Sequence, residues 1–236
     1  YAEADPTFDV EGIDAAHKLA ILASVAFGVP LQFDKAFTEG ISKISTLDVN
    51  NAEFLGYRIK HLGIARRKDE GFELRVHPTL IPEQQLIAKV DGVMNAVLVE
   101  GDAVGQTLYY GPGAGSEATA SAVIADLVDV ARSVKSNVGV TVPYLGFSAD
   151  KMLSLPVIAI EDITSAYYLR ITAADNPGVL AQVSSILSKQ SINIECVMQK
   201  EGEQNNQTIP LVLLTHEVKE KQINQAIEEI EVIEVV

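Results

Sequence analysis

The sequence predicts an α+β protein with two domains: a mixed-sheet domain, followed by a smaller domain with the order βαββαβ. Hydrophobic residues make up 47% of the 236 residues, which is enough to bury a sizeable core. Apolar residues recur with helical spacing in some segments and alternate with polar residues in others, so both helices and strands are expected. Residues 137–162 contain Pro143, Pro156 and glycines without sustained periodicity, and they are expected to connect the two domains.

The first domain is expected to begin with a helix over residues 13–27, because this segment is almost entirely apolar after Lys18 and is followed by Gly28. Its composition predicts burial on most faces. Asp48 is the candidate cap of a second helix that runs to about Leu62. Four apolar residues of this second helix would share one stripe: Ala52, Leu55, Ile59 and Leu62.

Short strands are expected in the middle of the first domain. Residues 72–76 alternate between apolar and polar with period two. Residues 96–99 and 106–109 flank a turn at Gly101 and Asp102, which predicts a β-hairpin.

A glycine-rich turn, Gly-Pro-Gly-Ala-Gly at residues 111–115, leads into a predicted helix over about residues 117–134, with Ser116 as its candidate cap. Glycine-rich turns allow backbone N–H groups to approach an anion at a helix N-terminus. The spacing differs from the dinucleotide fingerprint G-x-G-x-x-G, and the segment lacks the βαβ context of that motif. On spacing alone, a ligand-binding turn and a tight loop without a ligand are equally favoured.

The second domain is predicted to contain strands at residues 168–173, 192–199, 209–215 and 232–236. Helices follow the first and third strands, with these residues inward: Val179, Leu180, Val183, Ile186 and Leu187 in one, and Ile223, Ala226, Ile227 and Ile230 in the other. The order βαββαβ is the ferredoxin-like arrangement. The loop at residues 175–178, Asp-Asn-Pro-Gly, is either a routine turn or a small-ligand site, since it meets a helix N-terminus whose free donors suit a carboxylate.

Charge and composition exclude several classes of function. The formal charge of −14 and the pI of about 4.6 argue against nucleic acid or an anionic membrane as a partner. Cys196 is the single cysteine, which prevents an intrachain disulfide and fits a reducing compartment. The histidines show no metal-ligand spacing, so no metal site is expected. The acidic start is unlike a secretory signal, and the longest apolar stretch, residues 19–31, is too short to span a membrane.

An acidic cluster precedes Lys18. Asp14 and Lys18 are four residues apart, so on a helix they share a face and can form an ion pair. Taken alone, this spacing indicates an ordinary helix salt bridge. The apolar helix and the nearby carboxylates lower the preference for this interpretation, because a partly desolvated cluster could hold a cationic group and move a proton from an alcohol. These carboxylates are Glu3, Asp5, Asp9 and Glu11. On spacing alone the signal for such a site is weak.

Several segments together resemble homoserine dehydrogenase: "YAEADPTFDVEGIDAAHKLAILA", "LGYRIKHLGIA", "VDGVMNAVLVEGDAVGQTLYYGPGAG" and "TASAVIADL". Residues 166–236, with "ITAADNPGVLAQVSSILSKQSINIE", resemble an ACT domain, the amino-acid-sensing module of many bacterial homoserine dehydrogenases. The resemblance implies a catalytic, substrate-binding and dimerisation domain over residues 1–136, a linker over residues 137–162 and a regulatory ACT domain over residues 163–236.

The family reduces L-aspartate 4-semialdehyde to L-homoserine with NADPH or NADH, on the route to threonine, methionine and isoleucine. The resemblance implies that Lys18 is the general acid and base on the substrate oxygen. It also implies that Glu3, Asp9 and Asp14 bind the substrate ammonium group, and that Asp14 orients the lysine.

The resemblance also implies ligand sites for a cofactor and an effector. Gly113 and Gly115 match the turn that approaches the cofactor, NADP or NAD. The implied effector is threonine, and the residues that match its site are Asp175, Asn176, Pro177, Gly178, Val179, Leu180 and Asn193.

Homoserine dehydrogenases begin with a Rossmann-like nucleotide-binding domain, which is not expected within this chain. The chain starts at Tyr1 without an initiator methionine, and we interpret it as the C-terminal part of a cytoplasmic bacterial enzyme, inactive or nearly so by itself. A homodimer or homotetramer is implied, and the helix after Gly115 should have an exposed apolar face or be covered by a neighbouring chain. The alternatives are a non-catalytic amino-acid-binding regulator and a structural dimer module with a vestigial ACT domain.

Overall fold

The computed structural model describes residues 5–136, 143, 145–174, 176–199 and 208–233 of the protein. The α-helices and β-strands form two groups, one before residue 137 and one after residue 163, and two short 3-10 helices, Ala149–Lys151 and Ile160–Asp162, lie between them. The first group contains a mixed sheet and a hairpin, and the second contains an antiparallel sheet with two helices. The predicted α+β fold class is therefore confirmed.

The chain begins with two helices joined by an elbow at residues 11–12: α1 (Thr7–Val10) and α2 (Ile13–Phe27). Helix α2 has the predicted bounds and ends at Gly28, which adopts a left-handed conformation with a φ of 66°. The prediction that α2 is buried on most faces is wrong, because only one side of the helix packs on the sheet. The opposite side exposes three large apolar side chains by 44–49%: Ile21, Leu22 and Val25.

Helix α3 (Thr46–Phe54) begins with a capping box. The Ser45 hydroxyl accepts a hydrogen bond from the Asp48 N–H, and the Asp48 carboxylate accepts one from the Ser45 N–H. Ser45 is therefore the N-cap, and the prediction of Asp48 at that position is wrong. Asp48 instead lies in the first turn and completes the capping box.

The prediction that this helix continues to Leu62 is also wrong. Gly56 has a φ of 81°, which turns the chain after α3, and Tyr57–Arg67 forms strand β2. All 11 residues of β2 pair antiparallel with strand β3 (Phe72–Pro82). The long pairing with β3 therefore overrides the helical spacing of apolar residues.

Strand β3 is the centre of a three-stranded sheet, in which strand β1 (Phe37–Thr38) is parallel to it and β2 is antiparallel. The prediction of a strand at residues 72–76 is confirmed, and the observed strand is longer. Helix α2 packs against one face of this sheet. The buried core between them comprises Ala16, Leu19, Ala23, Val29, Phe72, Leu74 and Val76.

The predicted hairpin is formed by β4 (Met94–Gly101) and β5 (Gly105–Pro112). Among the described residues these two strands pair only with each other. The hairpin exposes several large apolar side chains: Val97, Leu98, Val99, Val104, Tyr109 and Tyr110.

Helix α4 (Ser116–Ser136) confirms the helix predicted after the glycine-rich turn. The Thr119 N–H donates to the Gly115 carbonyl, so Gly115 takes the cap position that was predicted for Ser116. No described residue of α4 is buried, and the expected exposed apolar face is present. This face comprises Val123, Ile124, Leu127, Val128, Val130 and Val134. No helix in the described part of the chain is long and apolar enough to cross a membrane.

The described part of the predicted connector packs against the first group. The Phe72 N–H donates to the Pro156 carbonyl at 3.0 Å, and the Ile158 N–H donates to the Phe72 carbonyl at 2.9 Å. Gly71 permits this approach, because a Cβ atom there would lie 2.4 Å from the Pro156 oxygen. Residues 137–142 and 144 of the connector lie outside the described residues.

The second group contains seven elements in this order: β6 (Thr164–Ser165), β7 (Tyr168–Ala174), α5 (Val179–Lys189), β8 (Ile194–Gln199), β9 (Thr208–Thr215), β10 (Val218–Lys219) and α6 (Glu220–Glu231). Strands β7, β9 and β8 form an antiparallel sheet in that spatial order, and β6 pairs with β10. The predicted inward position of Leu180 is wrong, since this side chain is 41% exposed. Of the predicted last strand, Val232 and Ile233 follow α6 without strand structure, and residues 234–236 lie outside the described residues.

A buried carboxylate joins the two groups. Asp48 accepts a hydrogen bond from the Tyr168 hydroxyl at 2.9 Å, and two from Arg170, through Nε at 2.6 Å and Nη2 at 3.3 Å. Burial disfavours the charged carboxylate, but the hydrogen bonds from Arg170, Ser45 and Tyr168 outweigh it and lower the pKa of Asp48 from 3.8 to about 2. Asp48 therefore caps α3 and anchors β7 at the same time.

Candidate functional site

Asp14 and Lys18 lie one turn apart on α2 and form an ion pair, with Lys18 Nζ 2.5 Å from Asp14 Oδ2. The Lys18 side chain is 69% exposed and that of Asp14 is 34% exposed. The partial desolvation expected for the lysine is therefore not present in this single chain. The pair instead presents an oriented ammonium group at an open surface.

The other carboxylates of the acidic segment lie at or before the elbow between α1 and α2. Asp9 is exposed on α1, and Glu11 is partly buried beside Gly40. Asp5 accepts hydrogen bonds from the Thr7 hydroxyl and the Thr7 N–H, which lower the pKa of the Asp5 carboxyl. Glu3 lies outside the described residues.

An aromatic stack is centred on His17, the residue before Lys18. The His17 ring stacks on the Phe33 ring with 3.6 Å between centroids, and its other neighbour is the Phe8 ring at 5.8 Å. The stack connects α1, α2 and the segment after α2. Sequence reasoning missed it, because Phe33 follows the end of α2 and no local pattern relates it to His17.

This arrangement is suited to proton transfer on an amino-acid-like substrate. An ammonium group held by a carboxylate can protonate an oxygen that gains negative charge, and can recover the proton in the reverse direction. The remaining carboxylates favour a cationic amino group by charge-assisted hydrogen bonding.

The glycine-rich turn before α4 has an accessible backbone. Gly115 has a φ of 138°, and no atom lies within 4 Å of the position that a Cβ atom would take. Gly113 packs against Asn95, since a Cβ atom there would lie 2.0 Å from Asn95 Nδ2. Gly115 therefore leaves the backbone at the start of α4 open to close approach, while Asn95 occupies the space beside Gly113.

A pocket of about 430 Å³ lies where β7 leads into α5. Gly178 is the N-cap of α5, with a φ of 97° and no side-chain capping hydrogen bond, so the helix N-terminus can receive an anionic group. The pocket is lined by Ala173, Ala174, Asn176, Pro177, Gly178, Val179, Leu180, Gln199, Ile209 and Leu211.

Most of the described residues predicted to bind an effector line this pocket, and Asp175 lies outside the described residues. Asn193 does not line it, because it precedes the opposite end of β8, where its carbonyl accepts a hydrogen bond from the His216 N–H. Gln199 lines the pocket and was missed by sequence reasoning. The end of a strand before a polar loop carries no motif that singles it out.

The fold thus combines an exposed lysine–carboxylate pair on α2 with a second group of elements that has a small pocket at the N-terminus of α5. Residues 1–128 match the family model "Homoserine dehydrogenase", and residues 167–235 match the model "ACT domain". The chain belongs to the homoserine dehydrogenase family.

Relatives and solved structures agree with this membership. The chain is 65% identical to homoserine dehydrogenase of Pseudomonas aeruginosa over 234 residues, covering 99% of this chain and 54% of that protein. It is 50% identical to that of Neisseria gonorrhoeae over 236 residues, covering 100% and 54%. The crystal structure of a homoserine dehydrogenase from Thiobacillus denitrificans superposes with a TM-score of 0.93 at 58% identity, covering 100% of this chain and 53% of that one. The chain thus spans about half the length of the relatives it matches.

Proposed function

We propose that this chain is the substrate-binding, dimerisation and regulatory part of a homoserine dehydrogenase, which interconverts L-aspartate 4-semialdehyde and L-homoserine with NADP or NAD. In this proposal residues 1–136 form the catalytic and dimerisation domain, residues 137–162 the linker and residues 163–236 the ACT domain. The observation that carries the proposal is the exposed ion pair of Lys18 and Asp14 on a helix that follows an acidic segment.

Lys18 is proposed to act on the C4 oxygen of the substrate. During reduction, its ammonium group protonates the oxygen that gains negative charge at C4, and during oxidation the neutral amine takes the hydroxyl proton. Asp14 holds the Lys18 Nζ atom through their ion pair and so fixes the direction of proton transfer. Asp9 and Glu3 bind the substrate ammonium group together with Asp14.

The nicotinamide cofactor supplies the hydride when it is bound. The open backbone at Gly115, at the start of an exposed helix, fits the approach of such a cofactor, and Gly113, which packs against Asn95, belongs to the same proposed turn. This chain spans about half the length of its relatives, so we propose that most of the cofactor is held outside it and that the chain alone has little or no activity.

A chimera tests this function. This chain replaces the matching region of the Pseudomonas aeruginosa enzyme, and NAD(P)-dependent oxidation of homoserine is measured. The wild-type chimera should be active and the chain alone should not be. Lys18→Ala should lower kcat by about 10²- to 10⁴-fold, the usual contribution of a general acid or base. The control is Lys43→Ala, which removes an exposed lysine outside the site. Undiminished activity of Lys18→Ala would refute the role of this lysine.

We propose threonine as the effector bound by the pocket between β7 and α5. The uncapped N-terminus of α5 suits the effector carboxylate, and the size of the pocket suits a small amino acid. Calorimetry on this chain should detect threonine binding that Asn176→Ala weakens and Gln182→Ala, an exposed residue of α5, leaves unchanged. Absence of threonine binding to the wild-type chain would favour a structural dimer module.

A non-catalytic amino-acid-binding regulator is the second candidate, and the effector pocket is the observation that favours it. A regulator of this kind would bind threonine, and the chimera would be inactive. In either case we propose a cytoplasmic protein, as the family resemblance implies. We also propose a homodimer or homotetramer, because the hairpin β4–β5 and helix α4 expose large apolar side chains. Light scattering that gives the single-chain mass of 25.4 kDa would refute the oligomer.

A further inference from the structure

The elbow between α1 and α2 turns at Gly12. Gly12 is buried and is the N-cap of α2, with a φ of 77° in the left-handed region. Its carbonyl accepts the first hydrogen bond of the helix, from the Ala16 N–H at 2.9 Å. The position of Gly12 therefore determines where α2 starts and in which direction the side chains of Asp14 and Lys18 project from it.

His61 on β2 packs directly against this glycine. A Cβ atom on Gly12 would lie 2.8 Å from His61 Cε1 and 3.0 Å from His61 Nε2, distances that real Cβ atoms rarely show. Val76 of β3 closes the site from the other strand, with its Cγ1 atom 3.0 Å from the same position. The elbow thus rests on an imidazole ring, and only glycine permits this contact.

The imidazole ring is itself held in place. Its Nε2 atom lies 2.9 Å from the Glu39 carbonyl oxygen. A carbonyl oxygen only accepts, so Nε2 carries the hydrogen in this contact. The Glu39 N–H donates to the Val76 carbonyl at 2.8 Å, which fixes this carbonyl relative to the sheet.

Residues 40 and 41, which follow Glu39, contact the other side of the elbow. The Ile41 N–H donates to the Val10 carbonyl at 2.9 Å. Gly40 lies so close to Glu11 that a Cβ atom on Gly40 would be 2.7 Å from the Glu11 Cα atom. The acidic elbow is therefore held between His61 and residues 39–41.

We propose that His61 is a positioning residue for the reaction: it fixes the elbow at Gly12 and so orients the carboxylates of the acidic segment and the Asp14–Lys18 pair toward the substrate. This role rests on the proposed dehydrogenase function. His61 does not touch the reacting atoms and acts through Gly12 and the Glu39 carbonyl. Displacing a catalytic group by about 1 Å can lower the rate by about 100-fold, so a support of this kind has a measurable effect.

Three substitutions at His61 distinguish the contribution of its packing against Gly12 from that of its hydrogen bond to the Glu39 carbonyl. In the active chimera, His61→Ala should lower kcat/KM for homoserine by about 10- to 100-fold and leave the KM for the nicotinamide cofactor unchanged. His61→Gln retains an N–H donor for the Glu39 carbonyl and should recover most of the activity. His61→Phe fills the space without a donor and should remain impaired. The control is His216→Ala, an exposed histidine in the second group.

Hydrogen exchange measured by mass spectrometry on the chain itself provides a readout independent of activity. His61→Ala should speed exchange in residues 9–18 and in residues 39–41, which contact the elbow, and leave the rest of the chain at the wild-type rate. Gly12→Ala should have a similar local effect, and the double variant should show less than the sum, because both substitutions break one contact.

The outcomes distinguish this proposal from the proposed function. Faster local exchange with wild-type kcat/KM would overturn the positioning role, and so would unchanged exchange. Equal loss of activity in His61→Ala and His61→Gln would also overturn it, since the donor would then be irrelevant. An inactive wild-type chimera would overturn the proposed function and the positioning role with it, while the exchange result would still decide whether His61 holds the elbow.

Discussion

Replacing Asp48 by asparagine should make the free energy of unfolding less dependent on pH. The folded carboxyl has a pKa of about 2, compared with 3.8 for an ordinary aspartate. Because the folded pKa is the lower one, the charged carboxylate stabilises the fold fully above the unfolded value. This stabilisation is lost as the pH falls through 3.8 toward about 2.

The size of this effect follows from the two pKa values. At about 1.4 kcal/mol for each pH unit, their difference corresponds to about 2.5 kcal/mol. The Arg170 side chain is 30% exposed, and screening by solvent reduces the contribution to between about 1 and 2 kcal/mol. The stability advantage of the wild type over Asp48→Asn should therefore shrink by about 1 kcal/mol between about pH 7 and about pH 3.

Urea denaturation followed by circular dichroism across this pH range measures the difference. The control is Asp162→Asn, since Asp162 is 57% exposed and lies 3.7 Å from the Lys219 ammonium group and 3.9 Å from that of Lys221. Its pH profile should follow the wild type within a few tenths of a kcal/mol, as expected for a surface pair. If the Asp48→Asn profile also runs parallel to the wild type, the hydrogen bonds from Arg170 and Tyr168 do not stabilise the charged form as argued.

Three further changes test the packing. Tyr167→Phe removes a 2.6 Å hydrogen bond from its hydroxyl to Glu220 and should cost about 1–2 kcal/mol in urea denaturation; a neutral result would mean that water replaces the bond. Leu187→Ala empties a fully buried position and should cost about 2–5 kcal/mol, whereas Leu180→Ala, at 41% exposure, should cost less than about 1 kcal/mol. Equal costs would refute the assigned core. Gly28→Ala places a side chain at a φ of 66° and should lower the melting temperature, and an unchanged value would show that the end of α2 relaxes freely.

The second group of elements was predicted well because its sheet and helices bury one another within a single chain. Alternation over β7 and β9 and helical spacing over α5 and α6 describe one local core, so the patterns and the burial coincide. Two predictions fail: Leu180 is exposed because it lines the pocket between β7 and α5, and Val232 and Ile233 follow α6 without strand structure.

The secondary structure and burial of the first group were predicted less well, because a pattern of apolar residues does not specify which surface those residues pack against. Ile59 and Leu62 have helical spacing with Leu55, yet they lie on a strand whose partner begins only at Phe72. Gly56, which separates helix from strand, was the local signal that could have revealed the boundary. In α2, the apolar composition predicted burial on most faces, although one face is open in the single chain.

Long-range polar contacts carry no local signal. Asp48 and Arg170 are 122 residues apart, and His61 reaches the Glu39 carbonyl across 22 residues. The pairing of Asp14 with Lys18 was accessible, because both lie on one helix at a fixed spacing. The candidate site was therefore visible in sequence only where its residues share an element.

The two ends of strand β7 have different roles, and this separation bears on how ACT domains can be exchanged between proteins. Tyr168 and Arg170 at its beginning attach to the first group, while Ala173 and Ala174 at its end form the pocket wall, about 10–20 Å further along the strand. Ligand preference can therefore diverge at one end of β7 without loosening attachment at the other. An ACT domain of different specificity should be graftable onto this chain if the two attachment residues are retained.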